Sequence, residues 1–152
     1  MAKYAITGTQ ATVSGSYKTV LDVFATTGSL RRGKVYDVLI GTNGTPADNY
    51  LQWDISRMTA DGTGSAVTPQ ALDPADAAAL ATAKNNYSAE PTITASSSLF
   101  NVGVNQRASY RWVAAPGSEL VFPATANNGL ALRTLSGGYT GSATGDVMYE
   151  EQ

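Results

Sequence analysis

Short runs of alternating apolar and polar residues, separated by Gly, Asn, Ser and Pro, dominate the chain. Tyr50 to Met58 alternates most regularly: Leu51, Trp53 and Ile55 fall on one side and Gln52, Asp54 and Ser56 on the other, as a half-buried strand requires. Thr19–Ala25 and Lys34–Ile40 are rich in β-branched and aromatic residues. Each stops at a turn signal, Thr-Thr-Gly-Ser after the first and Gly41 to Pro46 after the second. The second half repeats this grammar. Leu99–Val104 reads as a strand, and Ala108, Tyr110, Trp112 and Ala114 then alternate against Ser109, Arg111 and Val113. Glu119–Phe122 lies between Pro116-Gly117 and Pro123, and Leu130–Leu135 and Asp146–Glu150 follow.

One segment departs from this pattern. Asp73 suits a helix cap, Pro74 the first helical position and Asp76 the first turn, so a helix is predicted over Asp73–Lys84, ended by Asn85-Asn86. Its apolar face is thin, mostly alanine with Leu80, and fits a helix laid over a sheet edge or bridging two sheets. Polar stretches at 42–49 and 84–92 read as loops. With about eight strands and no strand–helix alternation, the pattern predicts an all-β sandwich of jelly-roll type with one short helix. Residues 17–152 are expected to form that single domain, and residues 1–16 an N-terminal arm or edge strand.

Composition narrows the chemistry. The 152 residues are 43% hydrophobic and only 14% charged, with 10 Lys plus Arg against 12 Asp plus Glu, no His and no Cys. These counts exclude disulfides, Cys- or His-ligated metals and any triad that needs imidazole. The basic residues are scattered, which argues against a nucleic-acid partner. No apolar run is long enough for a membrane segment, and Gly, Thr, Gln and Ser break the opening residues where a secretion signal would stand. Synthesis in a cytoplasm is therefore expected, and the sequons at Asn43 and Asn86 are read as chance.

Gly28 to Lys34 approaches the phosphate-loop pattern. It fails at Val35, where a hydroxyl should reach magnesium, and it opens a strand rather than a helix. It is read as a basic hairpin turn carrying Arg31, Arg32 and Lys34. Asp22, Asp37 and Asp54 each lie in a predicted strand and are the carboxylates that acid/base chemistry would need, but they read first as solvent-face residues. Asp146, Glu150 and Glu151 lack the spacing of a calcium loop. No Gly-x-Ser-x-Gly elbow occurs. Trp53, Trp112 and Tyr110 are expected in the core. No catalytic residue, cofactor or metal is assigned, and the protein is not read as an enzyme.

The block from Asn49 to Ala79, containing YLQWDISRMTADGTGSAVTPQALDPADAA, and the block RWVAAPGSELVFPATANNGLALR, Arg111 to Arg133, resemble structural proteins of tailed-bacteriophage virions, in particular capsid decoration (cement) proteins. The resemblance covers about a third of the chain and transfers no catalytic residue. It implies a compact β-sandwich on the outer surface of the capsid, a homotrimer, and the major capsid protein as partner. A neck, tail or fibre module is the alternative, and a carbohydrate-binding or carbohydrate-active module a more distant one. The capsid contact is expected in Met1 to Ser16, with Tyr4 and Ile6 as anchors, and secondarily at Arg31, Arg32 and Lys34.

Overall fold

The structure, a computed structural model, describes residues 1–11, 13–136, 139 and 141–152. Among these residues the chain forms twelve strands and no helix. The first four are β1 (Lys3–Gln10), β2 (Lys18–Phe24), β3 (Gly33–Gly44) and β4 (Tyr50–Ala60). A middle stretch supplies β5 (Thr63–Val67), β6 (Gln70–Ala71) and β7 (Thr82–Ala89). The second half adds β8 (Thr92–Asn105), β9 (Tyr110–Val113), β10 (Leu120–Phe122), β11 (Gly129–Leu135) and β12 (Gly141–Glu151).

Two six-stranded sheets face each other. One runs β10-β3-β12-β1-β6, with β9 also paired to β3, and the other runs β5-β7-β2-β11-β4-β8. Every pairing is antiparallel. Strands β1 to β4 alternate between the sheets, and the chain then returns to pair β11 with β2 and β4, and β12 with β1 and β3. The period-2 pattern supplies the core: Ile6, Val38, Ile40, Leu51, Trp53, Ile55, Leu132 and Tyr149 are buried together between the sheets. Tyr149 packs against Tyr4 and, edge-on, against Phe122, with centroids 5.5 and 5.9 Å away. Gly8 lies opposite Gly145 across the β1–β12 ladder. A Cβ on either would come within 2.8 Å of Leu21 or 2.6 Å of Leu132, so these glycines let the second sheet close down on the first.

The expected jelly-roll-type sandwich of about eight strands and one short helix is therefore corrected to two six-stranded sheets with no helix among the described residues. Residues 73–81 run as an irregular strap, and Thr82–Ala89 is strand β7. Asp73 does accept an N–H, from Ala75 at 2.9 Å, but it closes only a single turn. A dozen alanine-rich residues make a marginal helix in water. Tertiary partners outbid it: the Tyr4 hydroxyl donates to the Ala77 carbonyl, the Glu151 carboxylate accepts from Leu80 and Ala81, and β7 joins β2. The expected loop at 84–92 becomes most of β7 and the start of β8.

The middle stretch has an architectural role. Strands β4 and β8 are neighbours, yet the chain between them travels to the far side of the sandwich. There β7 and β5 extend the second sheet beyond β2, and β6 pairs with Tyr4 and Ala5 on the outer side of β1. Edges left bare invite pairing with other chains, and this excursion covers β2 and part of β1.

Candidate functional site

Two arginines, Arg32 and Arg57, share a hollow at one end of the molecule, and Arg31 precedes Arg32 in the turn there. Arg31 and Arg32 lie exposed in the turn between β2 and β3, whose base is tied by the Ala25 N–H to Asn128 and by the Ser29 N–H to Thr26. Arg57 lies on the same face of β4 as Trp53 and Ile55, exposed where the two sheets end, and its Nη1 donates to the Val121 carbonyl of β10 in the other sheet at 2.8 Å. Arg32, Arg57, Val121, Pro123 and Ala124 line an open hollow of about 360 Å³. The other basic side chains are mostly neutralised: Lys18 by Glu90, Lys34 by Glu150, Lys84 by Asp61, Arg107 by Asp48, Arg111 by Asp37 and Arg133 by Asp54. Lys3 lies over the Tyr36 ring. Among the described residues, Arg31, Arg32 and Arg57 make no ion pair, so positive charge is left uncompensated at this hollow. An acidic surface would be drawn to it, and salt would weaken the attraction.

Lys34, expected in the same cluster, is drawn off by Glu150 at 3.9 Å. Arg57 was not legible beforehand, because the register that sets β4 beside β11, with β10 close by, is a long-range property. Tyr4 and Ile6 are buried on the inner face of β1, between β12 and β6, so in this subunit they serve the core and present no side-chain surface to a capsid. Within the expected contact region Met1 to Ser16, Thr12 lies outside the described residues.

The three candidate carboxylates are kept apart. Asp22 and Asp54 flank β11 on the outer face of one sheet, opposite Ala131 and Arg133, while Asp37 belongs to the other sheet. All three are buried rather than on a solvent face, and each has partners. Arg111 grips Asp37 through two nitrogens. Asp54 accepts from Ser56, Ser98 and Arg133, and the Arg133 guanidinium lies over the Tyr17 ring at 4.5 Å. Burial alone would push Asp54 up, but these hydrogen bonds together hold it below the usual carboxylate range. Asp22 accepts from the Tyr87 hydroxyl and from the Lys84 N–H at 2.9 Å, yet burial lifts it to about 7. The separation leaves no two of these three facing a common reacting atom, and the hollow that Asp37 shares with Asp146 also holds the Arg111 guanidinium bound to Asp37. Glu150 and Glu151 are occupied by Lys34 and the strap, and no group of three His, Cys, Asp or Glu residues shares a metal-sized site among the described residues.

The aromatic residues divide. Trp53 is 1% exposed in the centre of the core. Trp112 is half-buried and Tyr110 is 39% exposed, because β9 is a four-residue edge strand at the mouth of the sandwich. Phe100 of β8 faces both from the opposite sheet, with centroids 6.3 and 6.0 Å away. Compared with protein families, with curated proteins and with solved structures, the chain matches none.

Proposed function

We propose that the protein is a non-catalytic virion component, a capsid decoration protein that docks its arginine-bearing end on an acidic surface of the major capsid protein and stabilises the shell from outside. The phage assignment rests on the resemblance of the blocks at Asn49–Ala79 and Arg111–Arg133. The docking end rests on one observation: Arg57 joins Arg32 around a hollow where their charge is not neutralised, with the exposed Arg31 next to Arg32 in the turn. A cement protein needs a rigid shape and complementary charge, and the buried carboxylates are spent on internal pairs rather than on a reacting centre.

Binding to capsids stripped of decoration tests this reading. The unaltered protein should lose occupancy as salt is raised. R31A/R32A/R57A should bind about tenfold more weakly at low salt and show little further salt dependence. Equal occupancy of the two proteins at every salt concentration would remove this end from the interface. Copy number in purified virions, read against the major capsid protein, separates decoration from a neck, tail or fibre role.

A further inference from the structure

Four edges bound the two sheets. On the first sheet they are β1, covered by the two-residue β6 at Tyr4 and Ala5 and tied to β7 at its far end through Gln10 and Ala11, and β9 with β10, four and three residues, where β9 carries Arg111. On the second they are β5, five residues, and β8. β8 differs from the rest. It spans fourteen residues, TITASSSLFNVGVN, pairs only with β4, and contains no charged residue and no proline. Long edges are ordinarily blunted by lysine, proline, brevity or bulges; β8 has none of the first three, and its bulges fall at Leu99 and before it, which leaves Phe100–Asn105 a regular open run. Exposed apolar side chains gather beside it: Tyr50, opposite Asn105, Leu99 within it, and Tyr110 across the sandwich mouth.

We propose that β8 is the self-association edge of this protein, pairing antiparallel with β8 of a second copy about a two-fold axis through Val102. The occupant is argued from the side-chain pattern. A two-fold perpendicular to the sheet keeps core-facing residues of both copies on one side. Centred on Val102, it sets Val102 against Val102, Phe100 against Val104, Asn101 against Gly103 and Leu99 against Asn105. Phe100, Val102 and Val104 are half-buried residues packed on the core cluster, and in this register they form one uninterrupted apolar stripe across both copies. The stripe is confined to these three residues, because the bulge at Leu99 turns Ser98 to the outer face beside Asp54 and Gln106 follows Val104, so a shift of two residues either way breaks it. The pairing also brings apolar cover to the mouth, where Tyr110 and Trp112 are left partly open. A partner strand of another protein would satisfy the backbone, but the strand's own sequence is already complementary to itself. This inference stands whether or not the protein binds a capsid.

Sedimentation equilibrium over a wide concentration range tests the pairing, using two double variants at exposed positions. Asn101 is exposed, and a Cβ at Gly103 meets only Gln52 Oε1 at 3.5 Å, an ordinary contact. In the proposed register, N101K/G103K opposes lysine to lysine twice, whereas N101K/G103E opposes lysine to glutamate twice. The unaltered protein and N101K/G103E should sediment at twice the monomer mass, and N101K/G103K should self-associate about tenfold or more weakly. A wild-type monomer at all concentrations, the trimeric mass, or equal behaviour of the two variants would overturn the proposal. Should N101K/G103K not fold, hydrogen exchange of the Leu99–Asn105 amides in the unaltered protein decides. Protection that rises with concentration supports the pairing, and protection independent of concentration refutes it.

Discussion

The two tryptophans show how much depends on where a side chain sits in an alternating strand. Trp53 lies on a central strand flanked by β11 and β8, whereas Trp112 lies on a short outer one. Replacing Trp53 with Ala is expected to cost about 3–5 kcal/mol through the cavity left behind. Trp112→Ala, at a half-open site that solvent can refill, should cost less than about 2 kcal/mol. Paired chemical denaturation curves check the ranking. Asp22 makes the pH dependence legible at a single carboxyl. Burial raises its value from 3.8 to about 7, so the folded state keeps a proton that the unfolded chain has released. Its contribution is full below about pH 4 and is lost as pH rises through 7, at most on the order of 4 kcal/mol. Relative to Asp22→Asn, the unaltered protein should therefore lose stability between pH 4 and 7, as thermal melts across that window would read. Asp54 has the opposite sign, since its lowered value stabilises the fold above the ordinary carboxylate range and is lost on acidification.

Among the elements, the strap at 73–81 is the clearest case of tertiary contacts overriding local preference. Its cap residue, proline and alanines all read as helix, but Glu151 of β12 accepts both the Leu80 and Ala81 N–H groups, at 3.0 and 2.8 Å. Glu151→Ala should release the strap, speeding hydrogen exchange at those two amides and costing about 1–2 kcal/mol in a melt, while the β1–β12 ladder persists. Legibility followed burial. β2, β4 and β11 are buried along most of their length and can be read within two residues of their ends, β4 from its period-2 alternation and β2 and β11 from their dense Val, Leu, Phe and Ala. β7, TAKNNYSA, reads as loop because only Ala83 and Tyr87 of it are buried. Residues 1–16 read as an arm or edge strand because small and polar residues surround the two large anchors of β1. Arg31 and Arg32 were visible as a cluster. Arg57 and the open edge of β8 were not, since both depend on which strands become neighbours.

At the scale of the whole molecule, the excursion between β4 and β8 covers β2 and part of β1 and leaves the opposite side of the sandwich open. That asymmetry separates two kinds of surface: a basic end, proposed above for an acidic partner, and an uncharged edge, proposed above for a second copy. Both can be engaged at once, because they draw on different forces and different residues. The central position of β1 has a further consequence, in time rather than space. Lys3 faces Glu150 and Gln10 faces Ala143, so the first of these twelve strands to be made has the last of them as its main partner. Until β12 arrives, β1 and β3 stand apart in the first sheet with nothing between them. Chain closure of that span must precede the contacts that reward it, which makes assembly slow and nearly all-or-none. A nascent chain waits with raw strands showing, and at high expression that interval is when it is most open to misassociation.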